Sequence, residues 1–438
     1  MASPRIAVFG IFGRTNLGNE ATLHAFLANL RGLFPGAHID CIGPGGADVA
    51  AHGIGLVDMD PIPIRRYFWR LPNWRLIGLL GSVAELALEP LRSRRAVRRI
   101  REYDLFVIPG TGILDDFGQG PLDLPFHLLR WCRAARIAAV PVHFLSIGAE
   151  PVAVSTTRWV LGRAARLATY RSYRDHASLE NAERLGIEVS GDAVYPDLAF
   201  SYPAAHLPPC DPVAWPPRRV GVGVMGYYGW NLTGAAAEAA YATYMSKLQR
   251  FVSWLLERGY EVRLLIGDTR PDQRPVRELV ETLGAAAPRR DSAARLIAEP
   301  IRTVDDLLAQ IAEVDVVVCS RLHNVVLALL LERPVISIGY SKKNDALLER
   351  AGFGDYCQDV ESFDVDRLIR QFTDLASRPG NPAGRLRTFK DDCRRQLDRQ
   401  YEALFAELAT RAAARARPAP PPGTAAPAGS PSPAARAR

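Results

Sequence analysis

The sequence predicts an α/β protein of two Rossmann-like domains whose parallel sheets face each other across a cleft. Three observations carry this. Short β-branched apolar runs alternate with amphipathic helical patterns, the grammar of strands buried on both faces and therefore paired in parallel. The alternation occurs in both halves of the chain. Between the halves, Ser201 to Pro217 holds six prolines in 17 residues, a stretch that continues neither a helix nor a central strand and reads as a linker at 201–217.

In the first domain, residues 1–200, the predicted strands are Ile6 to Gly10, Ala37 to Cys41, Leu105 to Ile108 and Val142 to Ile147. In the second, residues 218–360, they are Arg219 to Val224, Val262 to Ile266, Val314 to Cys319 and Val335 to Ile338. Residues 361–411 read as C-terminal helices with an apolar face through Leu368, Phe372, Leu397, Tyr401, Leu404 and Leu408. Residues 412–438 form a Pro/Ala-rich tail that is expected to be disordered. A basic insertion at 60–103 interrupts the first domain.

With 438 residues, 48% hydrophobic and 23% charged, the composition excludes collagen, wholesale disorder and a small disulfide scaffold. Six scattered cysteines include no C-x-x-C pair, so neither a metal site nor a disulfide framework is signalled, and a reducing, cytoplasmic setting is expected. The N-terminus lacks the basic region and long apolar core of a signal peptide and reads as a first strand. Leu76 to Leu88, the longest apolar stretch, is broken by Glu85 and falls short of the ~20 residues that span a bilayer.

The net charge of +7 is unevenly placed. The tail from 411 carries five arginines and no acid, and residues 65 to 101 carry ten arginines against Glu85 and Glu89. Only four of the 54 basic residues are lysines, which reads as arginine bias and not as a nucleic-acid interface, whose charge would spread along one face. Trp69 and Trp74 flank the basic stretch, so two readings stand for 65–101: a solvated helix with one buried face, or peripheral contact with an anionic membrane.

Parallel sheets bind ligands beyond the carboxyl ends of their strands, so chemistry is sought in the loops there. The first candidate is Gly10 to Glu20, where three glycines permit close approach and a helix N-terminus offers N–H groups to an anion. Asn16 and Glu20 stand out in it, and a cap and turn role for Asn16 and Asn19 is the plainer alternative. The second is Pro109 to Asp116, with Gly110, Gly112 and Asp115; a tight turn with Asp115 capping a helix is its alternative. The third is Tyr170 to Ser178, where Arg171 and Arg174 form a possible anion clamp or a solvated helix entry. The fourth is the most informative. Arg321 and His323 follow the strand ending at Cys319, and Tyr340 and Lys343 follow the neighbouring strand Val335 to Ile338. Together these make an anion site with a titratable proton donor.

These four segments, in this order, resemble the polysaccharide pyruvyl transferase family over roughly residues 6 to 345. Ser320-Arg321-Leu322-His323, Pro334 to Tyr340 and Lys343 carry most of the likeness, supported by Gly13 to Glu20 and by Arg174-Asp175-x-x-Ser178. The family's run of consecutive glycines is here interrupted, as Pro109-Gly110-Thr111-Gly112. The resemblance implies a GT-B-like pair of domains and transfer of a pyruvyl group from phosphoenolpyruvate to two hydroxyls of a glycan or lipid-linked sugar, without metal or cofactor. It implies that Arg171 or Arg174, Arg321 and Lys343 hold the donor and that His323 delivers a proton. A nucleotide-sugar glycosyltransferase would share the cleft but needs an acidic ribose ligand, for which Glu332 at a helix end is a poor candidate. A non-catalytic sugar-binding protein would not need the Arg321, His323 and Lys343 cluster.

Overall fold

The computed structural model describes residues 3–44, 52–60, 74–117, 120–210, 212–229, 232–286, 295–378, 380 and 382–416, and for 74–86, 285, 286 and 412–416 it describes the backbone alone. The readings made for Arg65, Arg66, Trp69 and Arg70, and for the tail beyond 416, lie outside these residues.

The first sheet has eight strands: β1 (Arg5–Phe9), β2 (His38–Gly43), β3 (Gly55–Asp58), β4 (Leu105–Pro109), β5 (Gly112–Leu114), β6 (Val142–Ala149), β7 (Tyr170–Tyr173) and β8 (Ala193–Val194). Their order is β3-β2-β1-β4-β6-β7-β8, with β5 beside the end of β6, and every pairing is parallel. Alternation along each strand serves two cores. Ile6, Val8, Leu105 and Val107 face α1 (Leu17–Leu33) in a core continuous with that of the second domain. Ala7, Phe9, Phe106 and Ile108 face the opposite layer. That layer is α2 (Trp74–Ile100), α3 (Leu124–Ile137), α4 (Ser155–Ala165) and α5 (His176–Arg184).

The second sheet has six parallel strands, β9 (Arg219–Gly223), β10 (Glu261–Leu265), β11 (Leu296–Ile297), β12 (Val316–Cys319), β13 (Val335–Gly339) and β14 (Cys357–Asp359), in the order β11-β10-β9-β12-β13-β14. Its helices are α6 (Gly234–Glu257), α7 (Gln273–Ala286), α8 (Val304–Ala312), α9 (Leu322–Leu330) and α10 (Lys342–Ala351). The all-apolar run Val316 to Cys319 is fully buried, as a central parallel strand must be.

The C-terminal stretch is the two helices α11 (Val365–Ser377) and α12 (Ala383–Ala416). Two details differ from the sequence reading. Asp115 caps no helix, because β5 precedes it and α3 does not begin until Leu124. The short strands β3, β5, β8, β11 and β14 escaped notice, since two to four residues are too few to show a period.

Besides the linker and the shared core, a loop pairing and the C-terminal helix join the domains. Leu17 N donates to Gly267 O at 3.0 Å and Thr269 N donates to Thr15 O at 2.8 Å, so the loop after β1 pairs with the loop after β10. Helix α12 crosses back onto the first domain. There Arg394 donates to Ser201 O and Asn29 Oδ1, Tyr401 meets Ser201, and Phe405 packs edge-on against Phe34. Among the described residues, no helix is long and apolar enough to cross a membrane.

The buried amide of Gln400 is the polar centre of the α12 contact. Its Nε2 donates to Ser172 Oγ at 2.6 Å and its Oε1 accepts from Ser146 Oγ at 3.2 Å. Gln400→Ala leaves these buried hydroxyls without that partner, and urea unfolding should register a loss of about 1–3 kcal/mol. A loss below about 0.5 kcal/mol would mean that α12 does not clasp the first domain in solution.

Candidate active site

The site is built where the carboxyl edges of the two sheets meet. Arg174 is the first residue beyond β7, and its guanidinium lies flat on Gly148, where an added Cβ would come within 2.7 Å of Nη2. The sequence permits this approach because β6 shifts register between Phe144 and Ile147, with Ser146 at φ +45°. Arg174 Nη1 donates to Asp197 Oδ2 at 3.3 Å, and Asp175 Oδ2 lies 3.7 Å from Nε. The position of Asp175 is fixed because it also caps α5 through Ser178 N.

His323 reaches this group from the other domain. It sits in the first turn of α9 and packs on Gly18, where a Cβ would fall 2.0 Å from its Nδ1. Its Nε2 lies 3.6 Å from Asp197 Oδ2. Burial pushes the imidazole down to about 4; Asp197 opposes this, while Arg174, Arg321 and Lys343 add to it. His323 is therefore neutral at pH 7 in the ligand-free protein.

Lys343, in the first turn of α10, pairs with Glu150 at 2.7 Å, and the capping residue Ser341 donates to the same Glu150 oxygen at 3.2 Å. Burial, and next the charge of Arg174, lower the Lys343 ammonium below its usual value. Asp115 stands near this pair. Burial lifts its carboxyl to about 6, against the Phe117 N–H bond and the Lys343 charge. The phenol of Tyr340 is raised by burial, with Arg321 and Arg174 acting against that.

Arg321 is held differently from its neighbours. Its Nε and Nη2 form a fork on Asp272 at 2.7 and 2.6 Å, and Asp272, with no exposed surface, also accepts from Gly226, Gly267 and Asp268 N. This pair ties α9 to the loop after β10.

The structure brings together Arg174, Arg321, His323, Tyr340, Lys343, Asp115 and Gly112 and leaves the rest outside the cluster. Arg171 lies within β7, where it donates to Asp192, Glu188 O and Ala165 O. Of the two arginines proposed as a clamp, only Arg174 reaches the cleft. Asn16 caps α1 through Gly18 N and Asn19 N, and Glu20 accepts from Gly13 N at 2.7 Å, so both shape the loop beneath His323. Gly110, at φ +55°, packs on Thr22. Three carboxylates of the site went unnoticed in the sequence, Glu150, Asp197 and Asp272, while Asp175 entered only as part of Arg174-Asp175-x-x-Ser178. Glu150 follows β6 directly, so the strand-end rule would have found it. Asp197 and Asp272 lie in loops whose side-chain partners Arg174, His323 and Arg321 are more than 20 residues away.

Two Rossmann-like domains, with paired charges and a buried histidine where their sheet edges meet, define a protein of GT-B-like fold. The described fold is shared with the Anabaena protein HepE solved with UDP-glucose, at 14% identity and a TM-score of 0.55, covering 94% of this chain and 100% of that one. The UDP-GlcNAc 2-epimerase of Methanocaldococcus jannaschii is similar at 10% identity and a TM-score of 0.51, covering 89% and 98%. Among curated proteins none matches the chain in sequence. The sequence profile of the polysaccharide pyruvyl transferase family matches residues 16–342, and the chain belongs to that family. Membership makes it a transferase acting on polysaccharide.

The buried His323 has a consequence for stability. Its folded pKa lies below the ordinary 6.5, so between pH 6.5 and about 4 the unfolded chain takes up a proton that the folded one does not, and stability is lost as pH falls through that window. Unfolding measured at pH 7 and pH 5 should show the wild type losing about 2 kcal/mol more than His323→Gln over that interval. Equal losses would mean that the imidazole is not desolvated.

Proposed function

We propose that this protein transfers the pyruvyl group of phosphoenolpyruvate to two hydroxyls of one sugar in a cell-surface or extracellular polysaccharide, or its lipid-linked precursor, closing a cyclic ketal. The observation that carries the reading is the meeting of Arg174, Lys343 and the charge of Arg321 around His323. Phosphoenolpyruvate is a small, multiply charged anion carrying a carboxylate and a phosphate, and it needs several cations and one acid.

The chemistry runs as follows. His323 gives its proton to the methylene carbon of the donor, and the adjacent carbon becomes an oxocarbenium ion. The first sugar hydroxyl attacks that carbon and loses its proton. Phosphate then leaves with the electrons of its C–O bond, and the second hydroxyl closes the ring. One proton is taken up and two are released; the balance leaves as hydrogen phosphate. We assign Asp197 to hold the imidazole and Asp115, with its raised carboxyl, to accept a hydroxyl proton. Lys343 is released from Glu150 when the donor anion takes that carboxylate's place.

His323→Ala should lower turnover about 10²- to 10⁴-fold with little change in donor affinity, because its part is proton transfer. Arg174→Gln should instead weaken phosphoenolpyruvate binding by about 1.5–3 kcal/mol in calorimetry. Arg321→Ala tests the fold more than the donor, since it strands Asp272 as a buried charge. Tight binding of UDP-glucose with no binding of phosphoenolpyruvate would overturn the proposal in favour of a nucleotide-sugar enzyme.

A further inference from the structure

The first domain has a strongly one-signed outer surface that the cleft chemistry does not use. Helices α2, α3 and α4 pack side by side over the sheet face opposite α1. Together they carry eleven arginines and two acids, Glu85 and Glu89. Part of this charge holds the layer together. Arg130 pairs with Glu89 at 2.6 Å, Arg92 with Asp60 at 3.1 Å, and Arg99 with Asp40 and Glu102 at 3.1 and 2.7 Å. Arg92 and Arg99, part of the basic run in the sequence, are therefore internal braces. Arg94, Arg95 and Arg98 on α2, Arg133 and Arg136 on α3, and Arg163 on α4 are exposed, as is Arg158 near the start of α4.

The position of the first six follows from the topology. Each helix returns from one parallel strand to the next, so all three run antiparallel to the strands and end at the amino edge of the sheet. These six arginines lie in the second half of their helices and gather toward that edge, away from the carboxyl edge that forms the cleft. On or at the ends of the same helices large apolar side chains are turned to solvent: Ile137 at 62%, Trp159 at 60% and Leu91 at 43% exposed. Arg163 lies over the Trp159 ring at 5.3 Å. A recess of about 400 Å³ beside α2 is lined by Arg95, Arg98 and Arg99 together with Asp58, Glu102, Val57 and Trp131.

We propose that this three-helix face docks the protein on an anionic lipid bilayer, with the cleft left open at the opposite edge. Guanidinium groups match lipid phosphates, and exposed Trp, Ile and Leu side chains suit the headgroup boundary. Those apolar groups have no counterpart along the phosphate backbone of a nucleic acid, which leaves the membrane as the better fit to the whole surface. The face reaches past the basic run of α2 to include Trp159 and Ile137, which no charge pattern in the sequence singles out.

The test is cosedimentation of the full chain with vesicles of phosphatidylglycerol and phosphatidylcholine, against phosphatidylcholine alone, at low and high salt. Each basic residue at such a surface strengthens binding about fivefold, so losing even two effective contacts lowers partitioning about 25-fold. The variant with Arg94, Arg95, Arg98, Arg133, Arg136 and Arg163 changed to Gln should lose at least that much, and Trp159→Ala should lose part of it. Binding of the wild type should fade at high salt, as the Debye length shrinks. A second variant, with tail residues Arg415, Arg417, Arg436 and Arg438 changed to Gln, should bind as the wild type does. Unfolding curves establish that each variant is folded. Equal partitioning on charged and neutral vesicles, loss in the tail variant alone, or retention of duplex DNA without vesicle binding would each overturn the proposal.

Discussion

The site turns on one arrangement: a histidine of the second domain buried against a glycine of the first, among three cations and beside a carboxylate. His323 cannot carry a proton there at neutral pH, because burial and the charges of Arg174, Arg321 and Lys343 all disfavour the imidazolium. Only Asp197 works the other way. Gly18 is required beneath the ring, since any side chain would occupy the same space. Much of the loop chemistry after β1 serves this fit. Asn16 caps the helix through Gly18 N, Glu20 fixes Gly13 N, and Leu17 and Thr15 tie the loop to Gly267 and Thr269 across the cleft.

In the ligand-free protein each cation already has a carboxylate: Arg174 has Asp197 and Asp175, Lys343 has Glu150, and Arg321 has Asp272. Of these, Asp272 is locked by five hydrogen bonds, whereas the carboxylate of Glu150 is 31% exposed and its contact spans the two domains. In the proposed reaction an entering anion takes the place of Glu150 and brings the negative charge that His323 lacks, so that donor binding and protonation of the imidazole are coupled.

The repeated alternation of apolar strand and helix made both sheets legible in the sequence, and the strand-end rule pointed to Arg321, His323 and Lys343. What the sequence did not disclose were strand ends and long-range partners. Arg171 and Arg174 looked equivalent in Tyr-Arg-Ser-Tyr-Arg; because β7 stops at Tyr173, one enters the cleft and the other is held by Asp192. Nothing beside Arg321 in the sequence disclosed its partner Asp272, onto which it is forked from 49 residues away. Asp197 gave no signal at all, being a single acid after a proline whose meaning depends on the facing domain. Likewise the sequence gave no partner for the C-terminal helices, and the buried Gln400 of α12 ties that helix to the first domain.

The protonation of His323 is tested most directly by following its ring by NMR as pH is varied, with and without phosphoenolpyruvate, using His323→Gln for assignment. The ligand-free ring should titrate near pH 4, and saturation with the donor should move its pKa upward toward the neutral range, because the bound anion compensates the surrounding cations. A pKa that stays where it was with the donor bound would contradict the claim that His323 becomes the acid when phosphoenolpyruvate enters the cleft.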